Sequence, residues 1–176
     1  RLLLKMPPAS SDSILMQDVA ESLRLYRDNP ASPKAFRFRY EQTLPVNPAA
    51  RHHVFAEALM TIPSRHGGTH APLDVLKALD ARAAGSDFRL WFQAEALASP
   101  CGQDVSFNVS PHDMDDDRLA GRFLELLQTA APHYNGRGQP RMILELMETG
   151  DWEQGSRLER TIRPALALGC AVAADD

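Results

Sequence analysis

The sequence predicts an α/β fold, a parallel sheet covered by helices and rolled into a TIM-like (β/α)8 barrel. About the first five of the barrel's strands are legible, with a helix ahead of them. Two observations carry this prediction. From Val54 onward the order is strand, helix, strand, helix, strand, helix, strand, and such alternation makes a parallel sheet, either an open doubly wound one or a barrel. In addition, four apolar runs carry an oxygen ligand at or near their ends: Val54–Met60 with Glu57, Val105–Asn108, Met142–Glu145 and Ala171–Asp176. Barrel active sites are assembled from the C-terminal ends of several strands, so the recurrence favours the barrel.

Residues 1–34 are expected to form a linker and helix, and 35–176 the barrel domain. Met6-Pro7-Pro8 cannot continue a helix. Ser10–Ser13 offers N-caps, and Leu15, Val19, Leu23 and Tyr26 then recur at helical spacing until Asn29-Pro30 stops the helix. In Ala35–Gln42, Phe36, Phe38 and Tyr40 alternate with Arg37, Arg39 and Glu41, a strand with one wet face. Pro45–Ala50 reads as a turn and Val54–Met60 as the second strand. Helices follow over about 72–82, with Val75, Leu76 and Leu79 inward, and about 87–98, with Phe88, Trp91, Ala94 and Leu97 inward. The third strand is Asp104–Val109. A helix then runs from Ser110-Pro111 to about Ala131, and its acidic first turn, Asp113–Asp117, is expected to be solvated and to suit the helix dipole. Asn135–Gly138 is a turn that precedes the strand Arg141–Met147, and so does not cradle phosphate. The helix Trp152–Leu168 contains Pro164, which should kink or restart it. Gly169 ends that helix, and Cys170–Asp176 is the fifth strand.

Composition narrows the function. Of the 176 residues, 44% are hydrophobic and 24% charged, as in an ordinary globular protein. The net charge of −4 gives no reason to expect DNA or RNA as partner. No apolar run is long enough to span a bilayer. Cys101 and Cys170 lie far apart without a CxxC motif and read as reduced packing residues, which points to the cytoplasm. His66 and His70 are four apart, but the glycines between them disfavour a helix that would align them on zinc.

The strand-end residues carry the chemistry. A carboxylate on a buried strand is costly unless it is paired or holds a cation. If Glu57, Asn108, Glu145 and Asp175 converge, three carboxylates repel one another strongly without one. One amide oxygen with carboxylates is a hard, all-oxygen set suited to Mg²⁺, Mn²⁺ or Ca²⁺. Asp176 stands next to Asp175, where it would reach a second ion. Two ions bridged by carboxylate suit phosphodiester hydrolysis.

Glu57-Ala58-Leu59 resembles the signature of EAL domains, the cyclic di-GMP phosphodiesterases. The tripeptide alone is weak, since Glu95-Ala96-Leu97 repeats it inside a helix. The order of motifs is specific. Ser106–Ser110 resembles the family's Asn-Leu-Ser strand end, and Leu144–Thr149 its Leu-Glu-Ile-Thr-Glu-Ser. Ala173–Asp176 resembles the start of Asp-Asp-Phe-Gly, and Phe38–Gln42 the first strand with its substrate-contacting glutamine. The resemblance spans residues 36–176. It implies that Glu57, Asn108, Glu145 and Asp175 hold one Mg²⁺ or Mn²⁺, and that Asp176 holds a second. Glu57, Asp175 and Asp176 would be the catalytic residues, Gln42 would contact cyclic di-GMP, and Glu148 would support the site. Partners implied are cyclic di-GMP, an upstream sensory or signalling domain and a second copy in a homodimer. Two positions depart from the pattern: Thr61 stands where the family usually has an arginine, and Thr43 where proline is usual. The family's later lysine, glutamate and glutamine would lie beyond Asp176, so these residues are expected to be part of a longer protein. The alternative is a degenerate EAL module that binds cyclic di-GMP or a protein without turnover.

Overall fold

The structure, a computed structural model, describes residues 11–43, 54–98, 102–147 and 157–174. The chain folds as two compact units, Arg1–Arg39 with Leu59–Phe88, and Tyr40–Ala58 with Arg89–Asp176. The sheet runs in the order β1 (Arg37–Thr43), β2 (Phe55–Pro63), β4 (Val105–Val109), β5 (Met142–Leu146), β6 (Ala171–Ala174), and β3 (Thr69–His70) hangs on β2. Helices α1 (Ser11–Asp28), α2 (Pro72–Asp80), α3 (Gly85–Ala98), α4 (Pro111–Met114), α5 (Asp117–Ala130) and α6 (Arg157–Ala167) complete it. The parallel α/β architecture is the one the alternation predicts, and the sheet is not closed among the described residues.

In the first unit, α1 buries Met16, Val19 and Ser22, while Leu15, Leu23 and Tyr26 are half-buried. The buried stripe is displaced from the expected one because Asp18 also turns inward. Its carboxylate accepts from the Arg65 backbone N–H (3.1 Å) and Nε (2.6 Å), and lies 2.9 Å from His70 Nε2. Tyr26 meets Phe36 and Phe38 edge-on, at ring-centre distances of 5.6 and 6.1 Å. In β1, Phe38 and Tyr40 are half-buried and Arg37, Arg39 and Glu41 exposed, the alternation read from the sequence. Strand β2 outruns its predicted end at Met60. It continues to Pro63 as an antiparallel ribbon with β3, pairing Ile62 with His70 and Pro63 with Thr69. Gly67 and Gly68 make the turn with φ of 95° and 72°, a backbone region that glycine enters without steric cost. The His66–His70 segment is therefore a hairpin.

In the second unit, β4, β5 and β6 are parallel, with Asn108 opposite Glu145 and Glu145 opposite Ala173. Val105, Phe107, Val109, Met142, Leu144 and Leu146 form one face and are almost wholly buried. Helix α5 supplies Leu119, Phe123 and Leu127 at intervals of four, and Phe123 meets Phe107 edge-on at 6.3 Å. Such a ring pair adds about 0.5–1.5 kcal/mol beyond its buried area.

The single helix expected from Pro111 to about Ala131 is two helices followed by a 3-10 turn, Ala131–His133. Asp116 breaks the run. In an extended conformation it caps α5, its Oδ1 accepting from the N–H groups of Arg118 (2.8 Å) and Leu119 (3.1 Å). Helix α6 runs through Pro164 to Ala167, and Gly169 ends it at φ 85°. Asn135 takes φ 61° and ties three segments together. Its Nδ2 donates to Leu168 O and its Oδ1 accepts from Met142 N, each at 2.9 Å. Cys170 is a buried free thiol, and burial pushes its pKa up, so it stays protonated. Cys101 and residues 152–156 of the expected last helix lie outside the described residues.

Candidate metal and nucleotide site

Side chains alternate across a strand, and residues paired in a parallel ladder share a face. The register pairs Glu57 with Ser106, Asn108 with Glu145 and Ser106 with Ile143. Glu57, Ser106, Asn108 and Glu145 therefore lie on one face, opposite the one that packs on α5. That face mixes these four polar residues with Ile143 and Ala173, where the other is wholly apolar. Glu57 is not at the end of its strand: it is the third residue of β2 and sits one step behind Asn108 and Glu145, which are penultimate in β4 and β5. The sequence runs suggested a level row of strand-end acids. Strands of a barrel sheet are staggered, which brings a residue from early in one strand beside a late residue of the next.

The stagger closes a short contact. Asn108 Nδ2 donates to Glu57 Oε1 at 3.0 Å. Glu145 is only 9% exposed and Ser106 is fully buried. Among the described residues, Asn108 Oδ1 and Ser106 Oγ are buried and find no hydrogen-bond partner. A buried polar group left this way costs about 1–3 kcal/mol, so two on one polar face call for an explanation.

The exit of β4 is held from outside by two residues that the sequence reading missed. Gln93 on α3 is buried and donates through Nε2 to the Asn108 carbonyl at 3.0 Å. One turn earlier, Arg89 binds Asp113 with both prongs, Nε to Oδ2 at 2.6 Å and Nη2 to Oδ1 at 2.9 Å. Asp113 was expected to be a solvated helix-start acid; it is buried at 6% exposure and joins α4 to α3. Arg89 and Gln93 stand four apart and hence on one side of α3, but the helix also carries Ser86, Asp87 and Glu95, so the spacing alone does not single them out.

Of the other expected site residues, Gln42 is exposed at the penultimate position of β1, and Thr61 is half-buried on β2. Glu148, Asp175 and Asp176 lie outside the described residues. Among the described residues, no three His, Cys, Asp or Glu side chains are grouped closely enough to hold a metal. What is present is two carboxylates and an amide whose oxygen has no hydrogen-bond partner among the described residues. That set is all oxygen and fits a hard divalent cation better than zinc.

No protein-family model and no curated protein matches the sequence. Solved structures do match. The apo S helix-GGDEF-EAL segment of LapD from Vibrio cholerae superposes with a TM-score of 0.68 and 13% identity, covering 96% of this chain and 38% of that one. The PaMucR phosphodiesterase in complex with c-di-GMP gives 0.64 and 16%, covering 92% and 63%. The EAL domain of FimX from Xanthomonas citri, in complex with c-diGMP, gives 0.57 and 15%, covering 90% and 59%. The chain spans less than two thirds of each of these structures. At such identities the likeness is one of fold: this chain has the fold of the EAL domains, over part of their length. No helix among the described residues is long and apolar enough to cross a membrane.

Proposed function

We propose that this chain belongs to an EAL-type domain that hydrolyses cyclic di-GMP to the linear dinucleotide in bacterial second-messenger signalling. What supports the reading is the sheet face on which Asn108 pairs with Glu145 in the ladder and donates to Glu57, and where, among the described residues, the buried amide oxygen of Asn108 has no hydrogen-bond partner. On this reading Glu57, Asn108, Glu145 and Asp175 hold one Mg²⁺ or Mn²⁺, and Asp176 contributes to a second. Such ions supply a reactive water and neutralise the leaving oxygen when bound. The chain's own residues fix the ligand geometry: Gln93 anchors the Asn108 backbone, and the Arg89–Asp113 pair anchors the segment after it. Gln42 contacts the dinucleotide and Glu148 supports the acids around it. The domain works in the cytoplasm, under an upstream signalling domain and as a homodimer.

The test is hydrolysis of cyclic di-GMP by the full protein in Mn²⁺ or Mg²⁺ buffer, with Glu57→Ala and Glu145→Ala alongside. Turnover by the parent and background rates in both variants are expected. A protein that binds neither Mn²⁺ nor cyclic di-GMP overturns the reading.

One observation favours a second reading, a module that binds cyclic di-GMP without turnover. Thr61 replaces the arginine that would grip phosphate. Thr61→Arg should then tighten cyclic di-GMP binding by about 1.5–3 kcal/mol, the worth of a charge-assisted hydrogen bond. Calorimetry on the full protein reads this directly, and unchanged affinity would mean that another residue supplies the contact.

A further inference from the structure

Ser106 is fully buried in the middle of β4, and among the described residues its hydroxyl finds no partner. Its ladder neighbour on β2 is Glu57. Two residues further along the same face stands Asn108, whose Nδ2 already holds Glu57 Oε1. A buried serine is poorly suited to an apolar interior, because alanine fills nearly the same space without an unsatisfied hydroxyl. The opposite face of β4 follows that rule with Val105, Phe107 and Val109. Ser106 breaks it only on the face that carries the acids.

An ionised carboxylate has about four lone-pair positions to fill. In the Glu57 carboxylate one of these takes the Asn108 amide, and a cation would take another. A ligand carboxylate is normally fixed by a further hydrogen bond from a residue that does not itself touch the metal. Ser106 is a neighbouring residue whose donor capacity is unused among the described residues.

We propose that Ser106 is a positioning residue for the cation site: its hydroxyl donates to the Glu57 carboxylate when Glu57 turns toward a bound divalent ion. This rests on the reading of Glu57 as a metal ligand. The hydroxyl is unsatisfied in the ion-free chain and satisfied in the loaded one, so it favours loading.

The proposal makes stability and affinity move in opposite directions. In the full protein, Ser106→Ala should raise the ion-free melting temperature, because it removes an unsatisfied buried group. The same change should weaken Mn²⁺ binding about tenfold, the usual scale for loss of a supporting contact. Ser106→Thr and Ser106→Val are nearly equal in volume and differ by the hydroxyl. Thr should bind Mn²⁺ as the parent does, and Val should share the weakening seen with Ala. Titration of the ion-free protein with Mn²⁺, followed by calorimetry or by the electron spin resonance of free Mn²⁺, measures all four without reference to turnover. Equal affinity in the Thr and Val variants, or parental affinity in Ala, overturns the role of the hydroxyl while leaving the cation site standing. A parent protein that binds no Mn²⁺ overturns both.

Discussion

Where β4 and β5 begin, the Asp104 carboxylate accepts three hydrogen bonds from Arg141: backbone N to Oδ1 at 2.8 Å, and Nε and Nη2 to Oδ2 at 2.8 and 2.7 Å. Four residues further along β4, the Asn108 amide oxygen is buried and accepts nothing among the described residues. Both ends are polar, and both join the same two strands. The entry end is satisfied within the chain and needs no visitor to be stable. At the exit end two glutamates and an amide face one side of the sheet, while Gln93 holds the Asn108 carbonyl and Arg89 the Asp113 carboxylate. A rigid frame around an unsatisfied oxygen is what a preorganised ligand site requires.

The largest expected effect comes from the brace. Asp113→Ala removes both hydrogen bonds between that carboxylate and Arg89, inside a largely buried pair. Breaking such a pair typically costs about 3–5 kcal/mol, which urea unfolding would read. A loss near zero would show that the exit end is not held from outside, and the comparison would fail at its rigid half.

Next are the two ends themselves, tested by one substitution each. Asp104→Ala deprives Arg141 of its acceptor and should cost about 1–3 kcal/mol while leaving Mn²⁺ affinity at the parental value. Asn108→Asp should do the reverse in kind. It withdraws the donor from Glu57 and adds a like charge beside it, so ion-free stability should fall by a similar amount. Mn²⁺ should then recover more melting temperature in this variant than in the parent, because an added carboxylate attracts the ion. If Mn²⁺ affinity responds to Asp104→Ala as strongly as to Asn108→Asp, the two ends do not differ in role.

Much of the fold was legible because its signals are local. The alternation in Phe38–Tyr40 and the apolar runs of β4 and β5 each follow from periodicity within a dozen residues. Runs that end alike single out Asn108 and Glu145, while their pairing across the ladder is set by register. Long-range polar pairing was not legible. Asp113 looked like one of five residues in an acidic helix start, and nothing local says that Arg89, 24 positions earlier, draws it inside. Asp18 was missed in the same way, since its partners lie 47 and 52 residues away. The stagger that sets Glu57 behind Asn108 is a property of ladder register, which strand patterns leave open. The β2–β3 hairpin escaped because a two-residue strand has no period to read.

The smallest expected effect concerns Asp18, an acid saturated like Asp104 but in the first unit. Burial pushes its carboxyl pKa up, but hydrogen bonds from Arg65 and His70 outweigh that, and the net shift is downward from 3.8. A group whose pKa is depressed in the folded state adds stability that is fully present above its unfolded pKa. That stability is lost as pH falls through the lower, folded value. The loss should therefore begin as pH drops past about 4 and grow toward pH 2. It should be modest, because the Arg65 side chain is 40% exposed and water screens the pair. Asp18→Asn keeps the shape and removes the titration. Urea midpoints of the parent and this variant, followed from pH 7 to pH 2, should draw together toward the acid end, since protonation makes the parent resemble the amide. A gap that stays constant across that range would show that Asp18 holds α1 through its shape and packing, and that the hydrogen bonds from Arg65 and His70 add nothing that depends on charge.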